Sequence, residues 1–557
     1  MLKRLASLFR LKMAEAAQNN TASHQATPAL VDGLSAEDWQ RCGNQHIDQE
    51  DLAGAERCYR KAIAANPAYA QAHNNLGLTL KELGRIGMAR EHLLRAATLD
   101  PSLYQAQLNL GEFAREQGDF RIAAGYFERC LNINPDSEDA LLSLAYVLFR
   151  DKQSDKAKRL LEEALAKNPG SLHLHFYLAN LSKENADLDR ARLEYEHCLT
   201  LDPNFWPAIF NLGLVHQQRQ DWNAAKACLR QAADVPGESG GALALGELLL
   251  LLGELPEGFS LLERRFDCGK PEYAYLAEML TRFGDTPRWK GEPLAGKRLL
   301  VWAEQGLGDT LMMARYLPRL KTLGVASLVV YCQSQLVRTF EGMSDVDLVE
   351  SQTSPSIASA FDLHCSMMSL PHLLHTRLDT VPAQAPYLSV TDAQKAAWAA
   401  HLAPLGKLKV GLAWAGNPML TKDALRSIPL REWAPILAVK GVSFVSLQKS
   451  NASAELTRTN APIADWMNES KDLLDTAALI ANLDLVICVD TAIAHLTGAL
   501  GKPVWLLNRH ESEWRWLLAR ADSPWYPTMQ IFRQHAEHDW QGSLEEVATS
   551  LKTLAGT

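Results

Sequence analysis

Two stretches of this 557-residue chain set an aspartate where a buried strand hands over to a helix: Gly306-Leu307-Gly308-Asp309-Thr310 and Val489-Asp490-Thr491-Ala492-Ile493-Ala494-His495. The free N–H groups at a helix start face an anion or an acceptor oxygen. At the mouth of a cleft the Asp309 carboxylate can take a proton from an attacking hydroxyl. Its other reading is as cap of a helix starting at Thr310. In the second stretch the Thr491 hydroxyl and the N–H groups beside it form a cradle for a diphosphate, with His495 one turn on along the same face. Asp490 either hydrogen-bonds a sugar hydroxyl or caps that helix. Upstream, Gly411-Leu412-Ala413-Trp414-Ala415-Gly416-Asn417-Pro418 leads into Lys422, Arg426 and Ser427. A cation there neutralises charge developing on a leaving phosphate, or is a solvated charge in a polar loop.

Other chemistries fit less well. Gly306-x-Gly308 fails as a dinucleotide fingerprint, because Leu311 occupies the third glycine position and no acid follows at the required distance. Asp345 and Asp347 precede a strand in the wrong setting for a metal-binding pair. His372 with His375, and the cluster His535, Glu537, His538 and Asp539, lack further ligands at defined spacing. No metal site is expected. Trp514-Arg515-Trp516 with Trp525-Tyr526-Pro527 either stacks a nucleobase or fills core behind the last strand.

The elements that must position these residues alternate. Strand-like runs at residues 298–304, 327–332 and 346–349, with a helix over 310–323, form one set; runs at 409–414, 442–447, 484–489 and 503–507 form a second. Alternating strand and helix predicts two parallel, doubly wound lobes divided near residues 382–406, with a cleft between them. The boundaries read from the sequence are 297–392 for the first lobe and 393–557 for the second.

Residues 36–239 have a different period. Pro67, Pro101, Pro135, Pro169 and Pro203 stand 34 residues apart and close units 36–69, 70–103, 104–137, 138–171, 172–205 and, by extension, 206–239. Ala55, Ala89, Ala123, Ala157, Ala191 and Ala225 share the small position of the second helix. Tyr59, Leu93, Phe127, Leu161, Tyr195 and Leu229 follow as large knobs. Leu76-Gly77, Leu110-Gly111, Leu144-Ala145, Leu178-Ala179 and Leu212-Gly213 mark the first helix. The six copies resemble the tetratricopeptide repeat, which implies a solenoid whose groove holds a peptide or protein. Asn75, Asn109 and Asn211 precede the first-helix leucine, with Ser143 and Tyr177 in other units. An amide ladder in the groove would bind extended acceptor chain through its backbone; otherwise the asparagines occupy tolerant helical sites. Residues 240–296 read as a degenerate capping repeat and linker.

Composition bounds the partners. A net charge of −9 and pI near 6.0 leave no basic stripe for nucleic acid. The nine cysteines are singletons, several on repeat core positions (Cys58 with Cys228, Cys130 with Cys198), and read as buried thiols of a cytoplasmic protein. Residues 1–35 are a basic amphipathic segment and linker, able to make weak contact with a membrane surface. No apolar run is long enough to span one.

Taken with residues 484–495 and Gly498-Ala499-Leu500-Gly501-Lys502-Pro503-Val504, the Gly-Leu-Gly-Asp-Thr stretch resembles the heptosyltransferase-type GT-B glycosyltransferases over residues 298–557. The resemblance implies an α solenoid followed by an α/β GT-B fold of two Rossmann-like lobes. It also implies inverting, metal-independent transfer from a nucleotide-activated sugar, which is a substrate, so no cofactor is expected. By motif match Asp309 is the general base, and Asp490, Thr491 and His495 hold the donor, with Gly306, Gly308 and Arg426 around it. Heptosyltransferases carry a lysine shortly before a Trp-Pro pair. Here Leu425-Arg426-Ser427-Ile428-Pro429 stands instead, so heptose specificity does not carry over. Repeats joined to such a domain resemble bacterial flagellin glycosyltransferases and, more distantly, O-linked N-acetylglucosamine transferases, in which the repeats present a protein acceptor. The expectation is a protein Ser/Thr glycosyltransferase. The alternatives are a non-catalytic repeat scaffold with a degenerate GT-B module, and a transferase acting on a lipid-linked glycan.

Overall fold

The computed structural model describes residues 32–269, 273–354, 356–357, 359–406, 408–419, 423–449, 451–537 and 539–556. The basic segment at residues 1–31, Lys422 and His538 lie outside the described residues. The chain divides into two compact units, one running to Arg219 and one from Gln220. The division falls inside the sixth repeat, between its helices Trp206–Gln218 and Trp222–Ala233.

Twelve helices run from Ala36 to Ala233, two per 34-residue unit, the first pair being α1 (Ala36–Asp48) and α2 (Leu52–Ala65). Ser35 caps α1 in a capping box with Asp38, and Asp51 caps α2 through Gly54 N–H. The pairing has a steric cause. All six small alanines are fully buried, and the six knobs are 1% exposed or less. The first-helix glycine is where the knob lands: a Cβ on Gly43, Gly77 or Gly111 would fall 2.3, 2.7 or 2.5 Å from the side chain of Tyr59, Leu93 or Phe127. Burial of each knob contributes about 1.5–3 kcal/mol.

Two repeat features differ from expectation. Asn75 and Asn109 are 1% and 7% exposed, not presented to a groove. Asn75 donates to Asn44 Oδ1 at 3.3 Å and accepts from Asn74; Asn109 donates to Asn74 Oδ1 at 2.9 Å; Asn211, half-buried, donates to Asn180 Oδ1 at 3.3 Å. Ser143 makes the same reach to Glu112. A buried amide must satisfy its donors, and a polar side chain of the preceding first helix is within reach. These residues therefore staple successive repeats. The second correction concerns thiols: Cys42 and Cys58 are not separate but meet as a disulfide between α1 and α2, their Cα atoms 6.0 Å apart. Cys130 and Cys198 are buried free thiols, and Cys228 is a partly buried one.

The second unit holds two all-parallel sheets, which is the α/β GT-B arrangement. The first has order β3-β2-β1-β4, from β1 (Arg298–Trp302), β2 (Ser327–Cys332), β3 (Leu348–Ser351) and β4 (Leu363–Ser366). The second has order β10-β9-β8-β5-β6-β7, from β5 (Leu408–Ala413), β6 (Val442–Ser446), β7 (Ile463–Ala464), β8 (Leu485–Val489), β9 (Val504–Asn508) and β10 (Met529–Arg533). The strand order reverses beside β1 in one sheet and between β5 and β8 in the other. Crevices at such switch points, outside the carboxyl ends of the strands, are where open α/β sheets bind ligands. Both aspartate stretches of the sequence leave strands at these points. Three strands, β4, β7 and β10, were not expected. The helix expected over residues 310–323 begins instead at Leu307, stops at Met313, tightens through Ala314–Tyr316 and resumes at Leu317–Thr322. Pro318, which lacks the N–H that continues a helix, sits in the first turn of the resumed segment. Among the described residues no helix is long and apolar enough to cross a membrane.

Candidate functional site

The loop after β1 enters helix α3 (Leu307–Met313) with Gly306 as N-cap. Asp309 therefore lies in the first turn of this helix rather than capping one that starts at Thr310. A carboxylate there complements the positive end of the helix dipole. The loop is fixed from β2: Gln333 Nε2 donates to Gln305 O at 2.7 Å, and Thr310 Oγ1 donates to Gly306 O at 3.1 Å.

After β8, Asp490 leads into helix α4 (Ala492–Ala499), which is capped by Thr491, its Oγ1 accepting from Ile493 N–H at 3.3 Å. Thr491, not Asp490, is the cap. Asp490 is 5% exposed, and burial, reinforced by Glu513, pushes its carboxyl up to about 6, against the pull of Arg515 and Arg426. His495 is 3% exposed. Its Nδ1 pairs with Tyr526 Oη at 2.9 Å, and its ring stacks on Trp516 with centroids 5.0 Å apart. Burial and the nearby guanidinium groups of Arg515, Arg315 and Arg426 hold His495 well below its ordinary range, so the ring is neutral at pH 7. It packs the crossing of α3 and α4: a Cβ on Gly308 would fall 2.8 Å from its Cδ2 atom.

Arg426 sits in the short helix Asp423–Arg426 that follows the β5 loop, donating from Nε to Asp423 Oδ1 at 3.0 Å. Asp423 also accepts from Ser427 Oγ, and Ser427 Oγ accepts from Gly416 N–H, each at 2.9 Å. Gln448 pins the same loop, its Oε1 accepting from the N–H groups of Trp414 and Ala415 at 3.0 Å. Arg426 is thus a positioned, partly buried cation, not a solvated one.

The residue the sequence did not single out for chemistry is Arg515. Its Nε donates to Asp309 Oδ1 at 2.8 Å, its Nη2 reaches the same carboxylate, and its Nη1 donates to Glu513 Oε2 at 2.7 Å. The acids around it, Asp309 first, raise an already strong base further. Arg515 thereby joins the β1 loop of one sheet to the segment after β9 of the other. Arg315, also unforeseen and 2% exposed, does the same from the far side of α3, donating to Met312 O at 2.7 Å, to Tyr387 Oη at 3.2 Å and to Trp525 O. The aromatic cluster is core: Trp516, Trp525 and Tyr526 are 1% exposed or less. The structure therefore brings Asp309, Gly306, Gly308, Asp490, Thr491 and His495 together around Arg515, with Arg426 beside the Asp490 loop. Asn75, Asn109 and Asn211 belong to the other unit.

Comparison with known proteins agrees with this organisation. Tetratricopeptide-repeat families match residues 43–84, 70–103 and 114–181. Residues 448–544 match "Glycosyltransferase family 9 (heptosyltransferase)", a span that runs from Gln448 through Asp490, His495 and Arg515. The chain thus carries tetratricopeptide repeats and a heptosyltransferase-like glycosyltransferase segment. Protein FlbA of Caulobacter vibrioides is 30% identical over 341 residues, covering 56% of this chain and 54% of that protein. The chain spans about half the length of this curated relative. Among solved structures, a tetratricopeptide repeat protein from Parabacteroides merdae covers 44% of this chain and 97% of its own (TM-score 0.38, 17% identity). PilF of Pseudomonas aeruginosa covers 37% and 94% (TM-score 0.32, 19% identity).

Proposed function

We propose that this chain is an inverting, metal-independent glycosyltransferase that moves a sugar from a nucleotide-sugar donor to a Ser or Thr hydroxyl of a protein held by the repeats. The observation that carries the reading is the meeting of two switch-point loops: Asp309 on α3 and Asp490-Thr491 at the start of α4 converge on Arg515. In the reaction the acceptor oxygen bonds to the anomeric carbon as the bond from that carbon to the diphosphate oxygen breaks on the opposite face. The hydroxyl proton passes to Asp309. The diphosphate leaves toward the N–H groups of α4, with Arg426 and Arg515 as the positive charges that receive it. The family 9 match over residues 448–544 supports the donor half; the repeats support a protein acceptor, flagellin being the acceptor that the resemblance suggests, and the cytoplasm is the compartment that supplies nucleotide sugars.

One observation favours the non-catalytic scaffold: Arg515 occupies the Asp309 carboxylate that would have to meet the acceptor hydroxyl. In the catalytic reading Arg515 transfers to the donor diphosphate and frees Asp309. The two separate by experiment. Asp309→Asn should retain nucleotide-sugar binding and lose transfer by about 100-fold or more, the scale of a removed general base. Asp490→Ala should weaken binding itself. Transfer undiminished in both variants, or no nucleotide-sugar binding by the unaltered chain, contradicts the assignment.

A further inference from the structure

The first helix pair carries a cluster that the proposed reaction does not use. Cys42 and His46 stand one turn apart on α1, and Cys58 meets Cys42 from α2. One ligand atom from each of the three residues lies within 4.8 Å of the other two. Tetrahedral Zn2+ with bonds of about 2.0–2.3 Å holds its ligand atoms about 3.5–3.8 Å apart, so small rotations close the set. Cys58 is 5% exposed, with Cys42 and His46 half-buried beside it.

Three further observations point to a ligand. His46 Nδ1 is buried and lies 2.9 Å from Asp51 Oδ2, the imidazole–carboxylate pairing that orients a metal-binding histidine from behind. Gly54 makes room for this pair: a Cβ there would fall 2.2 Å from Asp51 Oδ2 and 2.3 Å from His46 Nδ1. The other five repeats have side chains there, Met88, Ile122, Lys156, Arg190 and Ala224. The same five repeats carry Leu76, Leu110, Leu144, Leu178 and Leu212 where the first has Cys42. Only the first repeat exchanges this core leucine for a thiol; the sixth has the histidine and the second cysteine, His216 and Cys228, but sets Leu212 against them.

We propose that Cys42, His46 and Cys58 form a Zn2+ site that staples α1 to α2, with Asp51 beside His46 as its carboxylate partner. Both thiols ligate as thiolates, releasing two protons as the metal binds. The disulfide is the alternative state of the same pair. Phosphine converts it to two thiols, being itself oxidised to the phosphine oxide with oxygen from water. The metal cross-links the two helices of this pair and so adds to the stability that stacking supplies along the array.

The test uses the full-length chain, reduced with a phosphine under anaerobic conditions and titrated with Co2+. The expected result is one Co2+ per chain with a thiolate-to-cobalt charge-transfer band that Zn2+ bleaches. Cys42→Ser, Cys58→Ser and His46→Ala should each weaken uptake at least tenfold, and Asp51→Asn by about tenfold. Cys228→Ser, at the same repeat position as Cys58, should change nothing. Absence of the thiolate band in the reduced, helical wild-type chain, or its persistence in the double variant Cys42→Ser/Cys58→Ser, overturns the site.

Discussion

Asp490 is the residue whose environment makes the sharpest physical demand. Its carboxyl titrates at about 6 in the folded chain against an ordinary 3.8, so folding favours the protonated form. Below pH 3.8 both states are protonated and nothing is lost. Between 3.8 and about 6 the unfolded carboxyl ionises while the folded one keeps its proton, so stability falls across that window and stays lower above it. Asp490→Asn should therefore raise the thermal unfolding midpoint at about pH 7.5, and the gain should vanish toward about pH 4. Measuring the midpoint difference between variant and parent across that range checks it, and a pH-independent difference contradicts the account. The sequence singled out Asp490 by its place between a buried strand and a helix start. It did not reveal Arg515, which lies 206 residues from Asp309 and reads locally as a cation between two tryptophans.

At the scale of elements, the site depends on how closely α3 and α4 cross, and Gly308 sets that distance. Gly308→Ala puts a methyl 2.8 Å from the His495 ring, which Tyr526 and Trp516 hold in place. The substitution should destabilise the second unit by about 1–3 kcal/mol. Gly306→Ala meets only Asp309 Oδ2 at 3.5 Å, an ordinary contact, and should be nearly neutral. Urea unfolding followed by tryptophan fluorescence separates the two; equal midpoints would show that the helix crossing does not rest on Gly308. Continuous apolar runs such as β1 and β8, buried on both faces, were legible from composition. The missed strands lack that signature: β4 reads Leu-His-Cys-Ser, β10 alternates Met-Gln-Ile-Phe-Arg, and β7 has two residues. Their strand state comes from the neighbour they pair with, which local propensity does not report. The buried pair Arg265–Glu304, bonded at 2.6 and 2.8 Å, is likewise a tertiary fact that joins the turn Glu263–Phe266, after helix Leu255–Leu262, to the end of β1.

At the scale of the whole molecule, the repeat array was legible in full because every copy repeats one steric solution, glycine or alanine under a large knob. What the array binds was less legible. The asparagines read as ladder rungs, Asn75, Asn109 and Asn211, are bonded instead to Asn44, Asn74 and Asn180 of the preceding first helices. The central claim of the proposal is that the repeats hold a protein which the α/β half glycosylates. The most direct measurement is intact-mass spectrometry of the protein that co-purifies with this chain, from cells expressing either the parent or Asp309→Asn. The expected result is the same bound protein in both, with sugar-sized mass increments only beside the parent. Identical masses in the two preparations, with the variant folded and still bound to its partner, would contradict it.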